Sequence, residues 1–251
     1  QFIRYLPMVK ALGGTVIFET LRPLLGILNG FPGIDKLVEI SPNRSHAENC
    51  DYYAPVMSLP MLFATDIQNI PSSIPYIFAD PMKVKQWKNR IDKEGYKIGI
   101  VWAGKPGHGN DKNRSCTLEH FLPLARIPGV AMYGLQKGDA VRQAETPAEM
   151  KGIINFDREL KDFSETAAAI ENLDLIISVD TALVHLAGAM GKPVWTLLPY
   201  APDWRWLLEK EDSPWYPTMR LFRQPVRGDW GAVFDRVKDE LRKLTSERVN
   251  S

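Results

Sequence analysis

Cysteine is scarce in this 251-residue chain, whose two cysteines, Cys50 and Cys116, are far apart and lack a CxxC spacing. They predict free thiols in a reducing, cytoplasmic compartment, with neither a disulfide framework nor a metal site. Apolar runs of membrane-spanning length are missing, and so is a signal peptide with a charged start and a small-residue cleavage site. We therefore expect no transmembrane segment.

An excess of charge of one sign is also lacking. The 31 lysines and arginines nearly balance 30 aspartates and glutamates, which leaves a net charge of +1. Bulk electrostatics thus indicate no nucleic-acid partner. The hydrophobic share of 45% and the charged share of 24% are those of an ordinary globular protein with a real core.

Residues 172–199 form the stretch around which the rest of the chain is arranged. The run 175–179 is apolar and partly β-branched, which predicts a strand buried on both faces. Asp180 and Thr181 end that strand, and apolar residues then recur at helical spacing until a Gly-Lys-Pro stop. A second buried strand is predicted at 194–198. The stretch is therefore a βαβ module of a parallel sheet.

The turn at Asp180 and Thr181 is a candidate site, because open α/β sheets bind ligands beyond the carboxyl ends of their strands. A helix start there suits a phosphate, Thr181 adds a hydroxyl, and His185 follows about one turn later. The alternative interpretation stays open: Asp180 and Thr181 act only as a helix cap, and His185 is a satisfied core residue.

Two units are predicted along the chain. In the first half, helices are predicted at 21–28, 58–64 and 82–93, and strands at 15–18, 35–40 and 51–54. Polar loops are predicted at 41–49 in the first unit and at 136–149 in the second. Because an apolar helix opens the chain and feeds a strand, we expect a first strand and loop upstream of Gln1. The expected boundaries are a partial N-terminal Rossmann-like domain at 1–81, a linker helix at 82–95, a C-terminal Rossmann-like domain at 96–228, and a C-terminal helix at 229–251.

The second unit alternates strands and helices, which predicts a doubly wound α/β fold. Its first strand, 97–102, runs into the glycine-rich loop 103–115, which carries Lys105, Lys112 and Arg114. Such a loop suits an anion, although it matches neither a P-loop nor GxGxxG. The alternative interpretation is that it is only a solvated loop.

An aromatic segment at 199–216 holds three tryptophans and two tyrosines around Asp203 and Arg205. Aromatic rings beside polar groups suit sugars, whose C–H faces stack on rings, and Trp204 is a candidate for this role. The alternative for Trp215 is that it seals the edge of the sheet.

Three motifs together resemble a known family: DLIISVDTALVHLAGAMGKPVWTLLP with DWRW, then VWAGKPGHGNDKNRS, and YGLQKG at 133–138. They look like the glycosyltransferase domain at the C-terminus of bacterial tetratricopeptide-repeat proteins. That domain is similar to heptosyltransferases (glycosyltransferase family 9) and, distantly, to O-linked N-acetylglucosamine transferases. The resemblance covers nearly the whole chain, is strongest over 98–230, and implies a GT-B fold with two Rossmann-like domains.

The resemblance implies a donor site for a nucleotide-diphosphate sugar. The residues that it places at the donor or its phosphates are Gly104, Lys105, Arg114, Ser115, Gln136, Asp180, Thr181 and His185, with His185 and Arg114 in catalytic roles. Asp203, Trp204 and Arg205 would line the sugar cleft. Two departures matter: Ala182 replaces the glycine usual in heptosyltransferases, and the loop that often supplies the general base would lie just before Gln1.

We therefore expect a metal-independent inverting glycosyltransferase that needs no cofactor beyond its donor substrate, and whose activity depends on the upstream loop. Its acceptor would be a protein, peptide or glycan, and upstream tetratricopeptide repeats would favour a protein or peptide. The alternatives are a nucleotide-sugar epimerase of the same fold and a nucleotide-sugar-binding or assembly module without catalysis.

Overall fold

The computed structural model describes residues 1–41, 50–144 and 152–249. The predicted loops at 41–49 and 136–149 lie partly outside these ranges. We call residues 1–80 the N-terminal lobe and residues 96–229 the C-terminal lobe.

The N-terminal lobe contains a two-stranded parallel sheet, in which Ile17 lies opposite Lys36. Its elements are a 3₁₀-helix (Phe2–Tyr5), α1 (Leu6–Ala11), β1 (Ile17–Thr20), α2 (Arg22–Leu28), β2 (Lys36–Glu39), a second 3₁₀-helix (Val56–Ser58) and α3 (Leu59–Leu62).

One predicted strand of this lobe, 51–54, is wrong. Tyr52 is 95% exposed and Tyr53 is 72% exposed, so the aromatic pair that suggested a strand has no buried face on which to pack. The strand expected at 15–18 is present but is displaced two residues toward the C-terminus.

Extended chain at 70–80, which contains Pro71 and Pro75, connects the lobes. The backbone N–H groups of Tyr76 and Ile77 both donate to the carbonyl oxygen of Ala189, at 2.9 and 3.2 Å, so the connection is attached to the C-terminal lobe. Asp80 then caps α4 (Pro81–Lys88) by accepting the N–H groups of Met82 and Lys83. This helix ends five residues before its predicted end at 93.

The C-terminal lobe is built on six parallel strands in the order β5-β4-β3-β6-β7-β8. The strands are β3 (Tyr96–Val101), β4 (Val130–Gly134), β5 (Ile154–Asn155), β6 (Leu175–Val179), β7 (Val194–Leu198) and β8 (Met219–Arg223). The helices are α5 (Asp111–Arg114), α6 (Leu122–Ala125), α7 (Phe163–Glu171), α8 (Ala182–Ala189) and α9 (Trp230–Val249), with 3₁₀-helices at Leu118–Phe121, Asp139–Ala144 and Trp204–Trp206. This is the strand order of a doubly wound dinucleotide-binding fold, so the predicted class is confirmed.

The edge strand β8 was missed from the sequence. Its residues MRLFR include two arginines, so it lacks the apolar run that marks a central strand. It pairs along its length with β7, and on its outer side an isolated antiparallel bridge joins Arg220 to Asp212. Its arginines lie partly exposed.

The core lies on both faces of the large sheet, because β6 and β7 are buried along their whole length. One apolar cluster packs under α9, and the other continues from the sheet through α7 and α8 into the N-terminal lobe, as far as Phe2 and Tyr5. Gly26 of α2 lies directly against Ser164 of α7, where a Cβ atom would overlap the serine hydroxyl. The two lobes therefore share one core.

Candidate functional site

The candidate site lies where the sheet changes direction. The chain leaves β3 toward β4 on one side and leaves β6 toward β7 on the other, so the carboxyl ends of β3 and β6 flank a crevice. The loop 102–115 follows β3, and the turn at Asp180 and Thr181 follows β6. The two loops singled out from the sequence are thus brought together.

Gln136 supports the first loop from below. Its Oε1 accepts the backbone N–H groups of Trp102 and Ala103 at 3.0 and 2.9 Å, and its Nε2 donates to the carbonyl oxygens of Ala103 and Lys137. The side chain is 2% exposed and its amide is fully used by backbone. The structure thus places Gln136 beneath the loop rather than on its ligand-facing surface.

Arg114 bridges the crevice from the end of α5. Its Nη1 donates to the carbonyl oxygen of Asp180 at 2.8 Å, and its Nε donates to Asp111 Oδ1 at 3.3 Å. Ser115 Oγ donates to the same carboxylate oxygen and accepts the N–H of Gly104 at 2.9 Å. These contacts fix the guanidinium between the two strand ends, and 14% of the Arg114 side chain is exposed.

Lys105 extends from the same loop and is exposed. Within the part of the chain that the structure describes, its ammonium group has no ion pair. It therefore adds a solvated positive charge beside the buried one of Arg114.

Thr181 occupies the N-cap position of α8, but its hydroxyl lies 3.2 Å from Ser178 Oγ and caps no backbone N–H. The first turn of α8 therefore keeps N–H groups available for a ligand. The carboxylate of Asp180 accepts no backbone N–H in the described residues, so it does not act as a helix cap there. Burial raises the pKa of this carboxyl group.

His185 lies one turn into α8 and stacks on Trp206, with ring centroids 5.2 Å apart and planes 17° apart. Its Nδ1 is 3.1 Å from the hydroxyl of Tyr216. Burial lowers the pKa of His185 well below its usual value, and Arg205 and Arg4 reinforce the effect. The imidazole is therefore neutral at pH 7, so it can donate one N–H hydrogen bond but carries no positive charge.

The aromatic segment divides into an exposed and a buried part. Trp204 is 60% exposed and has Arg205 4.8 Å over its ring, whereas Trp215 is 4% exposed and packs edge-on against Phe2. Asp203 accepts from the backbone N–H of Arg205 at 3.1 Å and from its Nη1 at 2.7 Å. Trp215 thus contacts the N-terminal segment.

Several residues near the site were not identified from the sequence. Asp111 has a local signal, because it precedes Arg114 by three residues on one helical turn. Tyr216 and Arg4 have no local sequence signal, because their partners are distant in sequence. Arg4 is 6% exposed and donates to the carbonyl oxygens of Pro71 and Trp215 and to the Tyr76 hydroxyl.

Neither a metal-ligand cluster nor a membrane span is found in the described ranges. No three His, Cys, Asp or Glu side chains there lie close enough together to hold a metal ion. No helix there is long and apolar enough to cross a bilayer.

The fold is that of the GT-B glycosyltransferases. The chain is similar to E. coli ADP-heptose lps heptosyltransferase II, with a TM-score of 0.66 at 14% identity over 98% of this chain and 94% of that one. It is also similar to E. coli heptosyltransferase WaaC with ADP, with a TM-score of 0.53 at 14% identity over 94% and 95% of the two chains.

Sequence comparison points to the same class. The sequence model for glycosyltransferase family 9 (heptosyltransferase) matches residues 159–215, which include β6, α8 and the aromatic segment as far as Trp215. Protein FlbA of Caulobacter vibrioides (strain ATCC 19089 / CIP 103742 / CB 15) is 29% identical over 218 residues, which are 84% of this chain and 36% of FlbA. The chain thus spans about a third of the length of that relative. The family match and the fold together support the assignment of the chain to the glycosyltransferases as a class.

Proposed function

We propose that this chain is the donor-binding part of a metal-independent, inverting glycosyltransferase. The acceptor hydroxyl oxygen would attack the anomeric carbon of a nucleotide-diphosphate sugar, and the bond from that carbon to the diphosphate would break on the opposite face. The nucleoside diphosphate leaves with the bonding electrons, and the hydroxyl proton passes to a base.

The observation that carries the proposal is the position of Arg114. Its guanidinium joins the loop after β3 to the Asp180 carbonyl after β6, at the point where this fold class binds ligands. The departing diphosphate gains negative charge, which a fixed guanidinium and an uncapped helix start can stabilise. Lys105 adds a further positive charge at the rim. This arrangement supplies stabilisation without a metal ion.

The donor class follows from the relatives by analogy. The E. coli neighbours act on ADP-heptose or hold ADP, according to their names. A nucleoside diphosphate, with ADP as the first candidate, is therefore the group that we assign to the crevice. Ala182 stands where heptosyltransferases usually have glycine, so the sugar need not be a heptose.

The acceptor side would include Trp204, whose exposed ring lies next to Arg205. Such a ring suits the C–H face of a sugar. A protein, peptide or glycan acceptor fits the proposal. Cys50 and Cys116 form no disulfide with each other, which fits a cytoplasmic setting, where nucleotide sugars are available.

The test is a thermal-shift and calorimetric screen of ADP, UDP, GDP and dTDP, each with and without EDTA. A ligand that binds only the native state raises the unfolding midpoint, so we expect one nucleoside diphosphate to do so equally in both buffers. Binding that EDTA abolishes contradicts metal independence, and no binding of any of the four contradicts the donor site. Sugar transfer by the full-length protein then separates the transferase from a binding module without catalysis.

A further inference from the structure

Tyr216 packs into a groove on α8 that is open only because residue 188 is glycine. A Cβ atom at Gly188 would lie 2.6 Å from Tyr216 Cγ. Gly188 and His185 are three residues apart and so lie on the same face of the helix. The tyrosine ring therefore lies along this face with its hydroxyl 3.1 Å from His185 Nδ1.

The Tyr216 hydroxyl has a defined donor direction. Three groups act on this hydroxyl: His185 Nδ1 at 3.1 Å, the Arg4 guanidinium and the Tyr76 hydroxyl. The Tyr76 oxygen already accepts from Arg4 Nη2 at 3.0 Å, and an imidazole nitrogen is a stronger acceptor than a phenol oxygen, so Nδ1 is the acceptor that remains. The guanidinium of Arg4 lies 4.9 Å over the tyrosine ring, and guanidinium groups only donate hydrogen bonds. Since burial raises the pKa of Tyr216 well above its usual range, the phenol keeps its proton, and a buried phenol uses that proton in a hydrogen bond.

The histidine ring is also fixed in orientation. Trp206 stacks on one face, and Tyr216 approaches Nδ1 in an inclined arrangement, with ring planes 53° apart. Nε2 makes no hydrogen bond with any residue that the structure describes. A neutral imidazole has one nitrogen that donates and one that accepts, so a donor bound at Nδ1 places the ring proton on Nε2.

We propose that Tyr216 is a positioning residue that fixes His185 as the Nε2-protonated tautomer. The hydroxyl of Tyr216 donates to Nδ1, and the N–H at Nε2 is then offered to the diphosphate of the donor. The second statement rests on the proposed function; the tautomer assignment does not. The role also accounts for Gly188 in the helix, since a larger residue would displace the ring that orients the histidine.

The tautomer is measured by two-bond nitrogen–proton correlation spectra of the chain labelled with ¹⁵N-histidine at neutral pH. We expect the His185 signals to show one protonated nitrogen, Nε2. Protonation at Nδ1 in the wild-type chain would overturn the proposal, whether or not any variant folds.

The variant is Tyr216→Phe, which keeps the ring against Gly188 and removes only the hydroxyl. The matched control is Tyr133→Phe, which removes a buried tyrosine hydroxyl that accepts the backbone N–H of Lys93 at 2.9 Å and is not bonded to His185. We expect Tyr216→Phe to give a mixture of His185 tautomers and to weaken ADP binding about tenfold in calorimetric titration. Tyr133→Phe should keep the wild-type tautomer and affinity.

The outcomes separate the two proposals. A single Nε2-protonated tautomer in Tyr216→Phe would overturn the positioning role, because the ring would then hold its proton without the hydroxyl. The positioning role would be supported if the wild type shows the Nε2 tautomer and Tyr216→Phe loses it. If, in the same experiment, neither ADP, UDP, GDP nor dTDP binds, that result counts against the donor site alone.

Discussion

Among single residues, Arg114 combines a structural and a ligand-binding role. Two of its nitrogens are used within the protein, by Asp111 and by the Asp180 carbonyl, and Nη2 makes no hydrogen bond to any described residue. The internal bonds orient the guanidinium in advance, and the remaining nitrogen can bind a phosphate oxygen without a large loss of side-chain entropy.

We expect Arg114→Ala to weaken nucleoside-diphosphate binding by about 1–3 kcal/mol, the scale of a charge-assisted hydrogen bond. The lost bond to Asp180 should also lower the free energy of unfolding by about 1 kcal/mol. Calorimetric titration and urea unfolding measure the two effects. Arg22→Ala, at an exposed arginine of the N-terminal lobe, is the control and should change neither. Equal affinity in Arg114→Ala and the wild type would remove Arg114 from the site.

Thr181→Val and His185→Ala test the helix start. The Thr181 hydroxyl contacts only Ser178 Oγ among the described residues, so its loss should cost little stability. We expect each variant to weaken donor binding or slow transfer at least tenfold, about 1.4 kcal/mol. Thr218→Val, which removes a hydroxyl bonded to the Lys192 carbonyl, is the control for a threonine away from the crevice. Unchanged donor affinity in both site variants would return this turn to a purely structural role.

Among the elements, the loop after β3 owes its shape to close packing around Gly104. A Cβ atom there would lie 2.5 Å from Asp111 Oδ1 and closer still to Arg114 Nη2. The glycine thus allows the backbone to approach the Arg114–Asp111 pair. Gly107 of the same loop has open space around its position.

Gly104→Ala should therefore displace Arg114 and weaken nucleoside-diphosphate binding by at least fivefold, about 1 kcal/mol. Gly107→Ala is the matched control, because the same methyl group enters open space in the same loop. Calorimetric titration of the two variants compares them directly. Similar affinities would mean that the position of Arg114 does not govern binding.

Helix α9 is linked to β8 by Glu240, which accepts from Arg220 Nη1 at 2.6 Å and from Lys243 Nζ at 2.7 Å. Hydrogen bonds from Lys243 and Arg220 lower the pKa of Glu240 from 4.5 to about 2. A carboxylate with a lowered pKa stabilises the fold above the unfolded-state pKa of 4.5, and the contribution is lost as the pH falls toward 2.

We expect Glu240→Gln to lower the free energy of unfolding by about 0.5 kcal/mol at pH 7, a small value because the pair is partly solvated. The difference from the wild type should shrink between pH 4.5 and pH 2. Urea unfolding across this range measures it. Glu209→Gln, at an exposed carboxylate with no ion pair among the described residues, should show no such pH dependence. A difference that stays constant down to pH 2 would contradict the assignment.

In the molecule as a whole, the two lobes are coupled through one apolar cluster that runs from the large sheet to Phe2. We expect a single calorimetric unfolding transition with equal calorimetric and van't Hoff enthalpies. Gly26→Ala should lower its midpoint by the equivalent of about 1–2 kcal/mol, because the methyl group overlaps Ser164 Oγ. The double variant with Ser164→Ala should recover most of this loss. Two separate transitions would show that the lobes unfold independently.

The strongly periodic parts of the chain were predictable. The run 175–179, the helix after Thr181 and the strand 194–198 were assigned correctly. Most of their residues are buried, so apolar side chains recur there in a clear pattern. Edge positions were less predictable: β8 was missed, and a strand was wrongly placed at 51–54. Residues 51–54 are exposed, and in β8 two half-exposed arginines interrupt the buried Met219, Leu221 and Phe222, so the local pattern carries little information about pairing.

For the candidate site, local pattern was enough to mark the loop 103–115 and the Asp180–Thr181 turn, because glycine, charge and a helix start have meaning within a few residues. Only the tertiary structure decided that Arg114 reaches the Asp180 carbonyl, that Gln136 lies beneath the loop, and that Tyr216 meets His185. These partners are 31 to 66 residues apart, and their contact depends on strand order in the sheet. A sequence pattern specifies which face of an element is buried, but not which distant side chain lies against it.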